Sequence, residues 1–321
     1  MIKHCLMSIF VIIFFNGCIL NNNLINIAKL SVEVVDEYGN PIKNAAVTVS
    51  SYTGVGGKKE NSVNGYTDDN GKYSVTLSGT NEYSLTATKD NYYFNGLGYT
   101  FKRVKFKFWQ PWNPQVKIVL YKIGNLVPMY ARNTEYSKIE IPVIGKKVGF
   151  DLIEFDWVPP YGKGVYPDMI FKLDKEYTDR NNFSSKLTVL FPNKYDGIQL
   201  LAQKRRIGSG LKLSRSAPEE GYQSEISHFV KKAPSTSLKS SFCEDNNYYF
   251  RIRSEINTNG KLFRAMYGKI YGDIVFEPRD KKTATILFKY FLNPDYTRNM
   301  EFDHKRNLFT GLSDIERNSL Q

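Results

Sequence analysis

Leu30-Ser31-Val32-Glu33-Val34 alternates apolar and polar residues with period two, the pattern of a strand with one face in a core and one in water. Gly39-Asn40-Pro41 supplies a turn, and Val47-Thr48-Val49 resumes the alternation as a second strand. Asp68-Asp69-Asn70-Gly71 separates Tyr66 from Tyr73, Val75 and Leu77, which predicts another reversal. Tyr83, Leu85 and Ala87 alternate next, followed by Val116, Ile118 and Leu120. Residues 29–122 therefore read as a small all-β domain.

Three segments of this domain carry a resemblance. Residues 39–47, Gly39-Asn40-Pro41-Ile42-Lys43-Asn44-Ala45-Ala46-Val47, are followed by Thr67-Asp68-Asp69-Asn70-Gly71-Lys72-Tyr73 and Lys89-Asp90-Asn91-Tyr92. In that order they resemble the carboxypeptidase regulatory-like domain, a transthyretin-like β-sandwich. Asn44 and Asn91 stand where that pattern usually has Gly, and Asn is the residue that best replaces Gly at positive φ. The resemblance implies a non-catalytic module found beside many different partners, so it carries a fold and no activity. A zinc carboxypeptidase would need a His-x-x-Glu pair and a further His. Here Lys231 follows three residues after His228, and Asn307 three after His304. Asp68-x-Asn70 starts like a calcium loop, but Lys72 occupies the next ligand position and the downstream Glu is absent, so the segment reads as a turn. No metal and no cofactor are expected.

Further along, Arg103, Lys105 and Lys107 alternate with Val104, Phe106 and Phe108, giving one strand a cationic and an aromatic face, with Trp109 and Trp112 just after it. Lysines on an edge strand protect it against edge-to-edge pairing. The competing reading is a platform for an anionic polymer, with Trp109 or Trp112 stacked on a sugar ring.

From residue 123 the pattern changes, and residues 123–309 read as a second β-rich domain, an antiparallel sandwich or jelly-roll-like fold. Residues 138–144 and 148–157 read as strands, as do residues 187–191 and 283–292. Residues 248–256, the turn Asn257-Thr258-Asn259-Gly260 and residues 262–276 form the clearest hairpin. Residues 197–206 are the only short helical candidate, and residues 310–321 read as a C-terminal tail. Glu154 and Asp156, sharing a strand face near Asp151, form a conceivable carboxylate pair for glycosidic acid/base chemistry, although spaced acids on a strand are more often a solvated face. The rigid loop of residues 159–167 adds Tyr161 and Tyr166 to Trp157 as candidate ligand contacts. Lys204, Arg205, Arg206, Lys212 and Arg215 make an acid-free basic run, the best candidate for an anionic contact, although such a run is more often a solvated loop. Gly54-Val55-Gly56-Gly57-Lys58 lacks the spacing of a phosphate loop and reads as a flexible hairpin.

The N-terminus speaks to location. Lys3 and His4 precede an apolar run over residues 6–15, well short of the roughly 20 residues of a spanning helix. Phe15-Asn16-Gly17-Cys18 follows and resembles the processing site of a bacterial lipoprotein, with Cys18 as the lipidated residue, although Phe15 and Asn16 depart from the usual pattern. Residues 1–17 then read as a signal peptide and residues 18–28 as a lipidated tether; an ordinary signal peptide cut nearby is the alternative. Cys243 would stand alone in the mature chain, without a disulfide partner. With 44 Lys and Arg against 32 Asp and Glu, the net charge of +12 favours anionic partners. In an exported protein these would be lipid head groups, envelope polymers or acidic glycans, and nucleic acid is disfavoured by compartment.

The expectation is an exported, membrane-anchored envelope protein, non-enzymatic, binding a glycan or protein partner. Two alternatives stand beside it: a polysaccharide hydrolase using Asp151, Glu154 and Asp156, and a structural subunit of an envelope assembly docked by strand addition.

Overall fold

The computed structural model describes residues 25–53, 59–202 and 208–321. The expected signal peptide and Cys18, the Gly-rich segment 54–58 and the basic residues Lys204, Arg205 and Arg206 all lie outside them. Among the described residues the chain is all-β apart from one short helix. It divides into two compact units, the first reaching Val34 and resuming over Pro41–Thr86 and Gly98–Lys117, the second made of Val35–Asn40, Ala87–Leu97 and Ile118–Gln321.

In the first unit Asn26–Asp36 pairs antiparallel with Lys72–Gly79, with Leu30 opposite Val75 and Val32 opposite Tyr73. The other sheet follows the order Lys59–Tyr66, Ala46–Thr53, Glu82–Thr88, Asn95–Thr100. Leu30, Val32, Val47, Val49 and Leu85 are buried on the inner faces, as the period-two pattern requires. Lys59–Tyr66 and Lys72–Gly79 flank the predicted turn but belong to different sheets, so the chain crosses there instead of closing a hairpin. Asp68 shapes that turn: its Oδ1 accepts the N–H groups of Asn70 and Lys72 at 2.9 and 2.8 Å. Asn44 and Asn91 both adopt positive φ, 53° and 64°, which accounts for Asn where Gly is the usual choice.

The stretch from Arg103 to Phe108 is not one strand. Phe106 and Lys107 take positive φ and reverse the chain, so Arg103–Lys105 folds back on Phe108–Gln110. Lys107 therefore sits in the turn, away from the face it was expected to share with Arg103 and Lys105. Arg103–Lys105 is the last strand of its sheet, where its cations guard a free edge.

The second unit centres on a six-stranded sheet in the order Gly197–Ala202, Asn246–Ile256, Leu262–Ile270, Lys289–Asn293, Val127–Asn133, Phe302–Asn307. The predicted hairpin is present, Phe250 facing Gly268 and Ile252 facing Met266 around the turn at Asn257. A second six-stranded sheet runs Asp156–Trp157, Lys147–Asp151, Met169–Asp179, Asn182–Leu190, Glu225–Lys232, Lys239–Ser240. A three-stranded sheet, Ile139–Glu140, Thr285–Leu287, Val275–Glu277, completes the unit. One core holds Phe150, Phe171, Leu187, Phe250, Ile252 and Tyr290. A second core, with Met129, Tyr249, Ala265, Phe291 and Leu320, lies on the other side of the central sheet.

Several segments differ from their sequence reading. Residues 197–206, the helical candidate, begin with the strand Gly197–Ala202, because Ile198 and its neighbours pair with Asn246–Arg251. The run 148–157 breaks after Asp151, and Asp156–Trp157 returns against it. Residues 262–276 and 283–292 each split into two strands in different sheets. The C-terminal segment carries a helix, Asp314–Ser319, capped by Ser313, whose side chain accepts the Glu316 N–H. Glu316 is 2% exposed, accepting from the Asn133 N–H and the Ser137 hydroxyl. Among the described residues no helix is long and apolar enough to cross a membrane.

Candidate functional site

Three acids near Trp157, Asp151, Asp156 and Asp168, hold a loop by accepting its backbone N–H groups. Asp151 accepts the N–H groups of Ile153 and Glu154 on one oxygen and of Val165 and Tyr166 on the other. Asp168 accepts the Leu152 N–H, and Arg253 donates to both carboxylates at 2.8–2.9 Å. Asp156 accepts the N–H groups of Trp157 and Lys163. Glu154 is exposed, in the reversal after Asp151 and off any strand face shared with Asp156. Burial works to raise the Asp151 pKa, but the four backbone donors outweigh it and hold the carboxyl below its ordinary value. Its folded pKa is thus below the unfolded one. The stabilisation is present at neutral pH and lost as pH falls through the carboxylate range, below about 4. Asp151→Asn should lower stability at pH 7 and narrow the gap to wild type near pH 3 in urea titrations; a gap constant with pH would reject the assignment.

The expected aromatic contacts separate into two groups. Trp109 and Trp157 are each 8% exposed, and their indole N–H groups donate to Gly79 O and Glu140 O at 3.0 Å, so both are core residues. Trp157 packs edge-on against Phe150 and Phe171. Trp112 remains exposed, edge-on to Phe108 at 5.2 Å, beside the cationic edge strand. Tyr161 is exposed, and Tyr166 covers the ion cluster, its ring centroid 4.5 Å from the Arg253 guanidinium. Of the basic run, Arg215 is already engaged by Glu37 and Glu301, while Lys212 lies over Tyr271 and burial pushes its pKa down. Among the described residues no group of three or more His, Cys, Asp or Glu is placed to hold a metal ion.

A site that the sequence reading did not assemble lies on the central sheet of the second unit. Gly197, Arg251, Tyr267 and Asn293 are successive cross-strand partners, one row across four strands. A Cβ at Gly197 would meet Gln223 O at 2.6 Å and Tyr222 Cβ at 3.0 Å, so glycine lets the loop carrying Tyr222 close down on this row. The result is a cleft of about 700 Å³, open to solvent, with Tyr195, Tyr222, Tyr296 and Phe263 on its walls and Arg251, Arg264, Arg298, Glu219 and Glu220 among them.

These side chains are held in place. Arg251, 7% exposed, donates to Tyr195 O and Glu219 O and lies 4.5 Å from the Tyr222 ring centroid. Arg298 donates to the Glu219 carboxylate and to Ala217 O. Arg264 pairs with Glu255 and stacks 4.4 Å from the Tyr296 ring centroid, while Phe263 is 68% exposed. Burial pushes the Tyr222 pKa up, so its hydroxyl stays a donor, here to Pro218 O. Rigid rings beside guanidinium and carboxylate groups suit a ligand that offers both a flat apolar face and hydroxyl or anionic oxygens. The signal in the sequence is Arg251, a charge on the strand Asn246–Ile256 where its neighbours are apolar or aromatic; Phe263 and Arg264 come from the next strand, while Tyr195, Tyr222 and Tyr296 come from segments far apart in the chain.

No known family's sequence profile matches the chain, and no curated protein matches it. Among solved structures, a shaft pilin of Lactobacillus rhamnosus GG is 10% identical at a TM-score of 0.22, covering 70% of this chain and 86% of the pilin. A streptococcal ancillary pilin is 11% identical at 0.21, covering 68% and 59%. A putative carbohydrate binding protein of Bacteroides uniformis is 12% identical at 0.18, covering 81% and 97%. Similarity at these scores carries no argument to this chain.

Proposed function

We propose that this is a non-enzymatic, membrane-tethered envelope protein that binds a glycan in the cleft around Arg251. The observation that supports it is the pairing of the exposed Phe263 ring and the half-buried Tyr296 ring with the anchored Arg251, Arg264 and Arg298 in one open cleft. A pyranose presents a C–H face to a ring and hydroxyls to arginine and glutamate, and the surplus of cationic residues favours an acidic saccharide. In this reading the leader exports the chain, Cys18 carries the anchor, and the carboxypeptidase regulatory-like unit serves as spacer.

The test is to incubate the full chain in detergent with neutral and acidic polysaccharides, scoring retention and new chain ends in the same samples. Retention of an acidic polymer without new ends, weakening as salt rises, is the expected result. Replacing Phe263 and Arg264 together with Ala should cut retention about tenfold or more, since aromatic and arginine anchors carry most of such binding. New chain ends would make the protein an enzyme, and undiminished retention by the double variant would move the site elsewhere.

A further inference from the structure

We propose that the second unit carries a separate pocket for a phenolic group, whose hydroxyl donates to His228 Nε2. The pocket holds about 210 Å³ and lies between the strand Glu225–Lys232 and the chain leading through Val275–Glu277. Its walls are largely apolar: Phe229, Leu238, Phe242, Ile274 and Phe276 line it together with His228. An apolar cavity of roughly 150 Å³ suffices for benzene, so a substituted ring fits this volume. Phe229, Leu238 and Phe242 are 42%, 49% and 54% exposed, which leaves the entrance open to solvent and rimmed with apolar surface.

The polar end of the pocket is built and incomplete. His228 is 5% exposed, and its Nε2 has no hydrogen-bond partner. Nδ1 lies 3.8 Å from Asp273 Oδ1, beyond hydrogen-bond reach but facing the carboxylate. Asp273 cannot rotate to meet it, because Oδ1 accepts the Tyr248 hydroxyl and the Ile274 N–H while Oδ2 accepts the Cys243 N–H and the Asn246 amide. Burial lowers the His228 pKa against the pull of Asp273, which keeps the imidazole neutral. The carboxylate then favours the proton on Nδ1, and Nε2 is left a buried lone pair. A ring of matching size that brings one O–H donor satisfies that lone pair and fills the apolar walls; a ring without the hydroxyl does only the second.

The experiment is a ¹⁹F NMR titration of the full chain in detergent with 4-fluorophenol and with fluorobenzene, each referenced to a His228→Phe variant in the same detergent. Wild type should bind 4-fluorophenol about tenfold more tightly than fluorobenzene, and His228→Phe should erase that preference. Phe242→Ala, at the exposed rim, should weaken both probes and serves as a second variant should His228→Phe fail to fold, which a thermal melt shows. A third arm offers an extended peptide containing 3-fluorotyrosine: tighter binding of the peptide identifies a protein side chain as the natural occupant, and tighter binding of the free phenol identifies a small molecule. Equal affinity of wild type for phenol and fluorobenzene, or a hydroxyl preference that survives His228→Phe, overturns the proposal. Failure of the polysaccharide assay would leave this result untouched, since the two sites share no residue.

Discussion

Arg253→Ala is expected to lower the stability of the protein by about 3 kcal/mol and to open the segment between residues 152 and 168 to proteolysis. Asp151 and Asp168 are each about 1% exposed at the side chain and share the Arg253 guanidinium. Removing the cation leaves two buried carboxylates facing each other with only backbone N–H groups to offset their repulsion, which is the costly way to break a buried pair. The backbone explains how an arginine comes to lie there. Strand alternation would place residue 253 with Arg251 on the cleft side, but the register slips between Ile252 and Glu255 and Arg253 takes a φ of 50°. That bulge re-aims its side chain toward Asp151 and Asp168. Arg253→Lys should recover only part of the loss, since an ammonium cannot serve both carboxylates with a planar fork. Urea titrations together with mapping of the first tryptic or chymotryptic cuts would check this; a shift under about 1 kcal/mol with no new cut in the segment would show that the cluster is dispensable.

Phe250→Ala should cost as much or more, about 3–5 kcal/mol. Phe250 is fully buried in the core between the two large sheets, and its direct cross-strand partner is Gly268. A Cβ at Gly268 would stand 2.1 Å from Phe250 Cζ, so the ring occupies the space over the glycine. Truncating the ring uncovers that backbone and leaves a cavity walled by a sheet that is itself buried on both faces and therefore relaxes little. The reverse change tests the same contact: Gly268→Ala forces the ring aside and should cost about 1–3 kcal/mol. Equilibrium denaturation of both variants measures the pair, and a loss below 1 kcal/mol for Phe250→Ala would mean that the core closes around the gap.

Legibility differed between the units for a physical reason. In the first unit strands such as Asn26–Asp36 have one wet face, so Leu30, Val32 and Val34 alternate with polar residues and can be read directly. In the second, residues 247–252 are buried throughout, alternation is lost, and the hairpin was legible from its turn at residues 257–260 instead. The reversal at residues 106–107 is silent in the pattern because apolar and polar residues keep alternating across it, whereas at residues 152–155 the adjacent Leu152 and Ile153 break the alternation. The site was less legible still. Tryptophans were the natural candidates for a sugar platform, yet Trp109 and Trp157 have their N–H groups satisfied inside cores, while the rings of the cleft include the exposed Phe263 and the half-buried Tyr296. Nothing in the spacing of Tyr195, Tyr222, Arg251 and Tyr296 announces that a sheet row and a glycine bring them together.

The parallel pairing of Val127–Asn133 with Phe302–Asn307 joins segments at opposite ends of the second unit. Such a ladder cannot form until nearly the whole unit has been synthesised, and the long closure makes it a late and slow step. Until then the strand Val127–Asn133 lacks one neighbour and its edge is open to other chains. The strand Phe302–Asn307 thus acts as a latch on assembly order: the central sheet stays unfinished until that segment has been synthesised and can close the row.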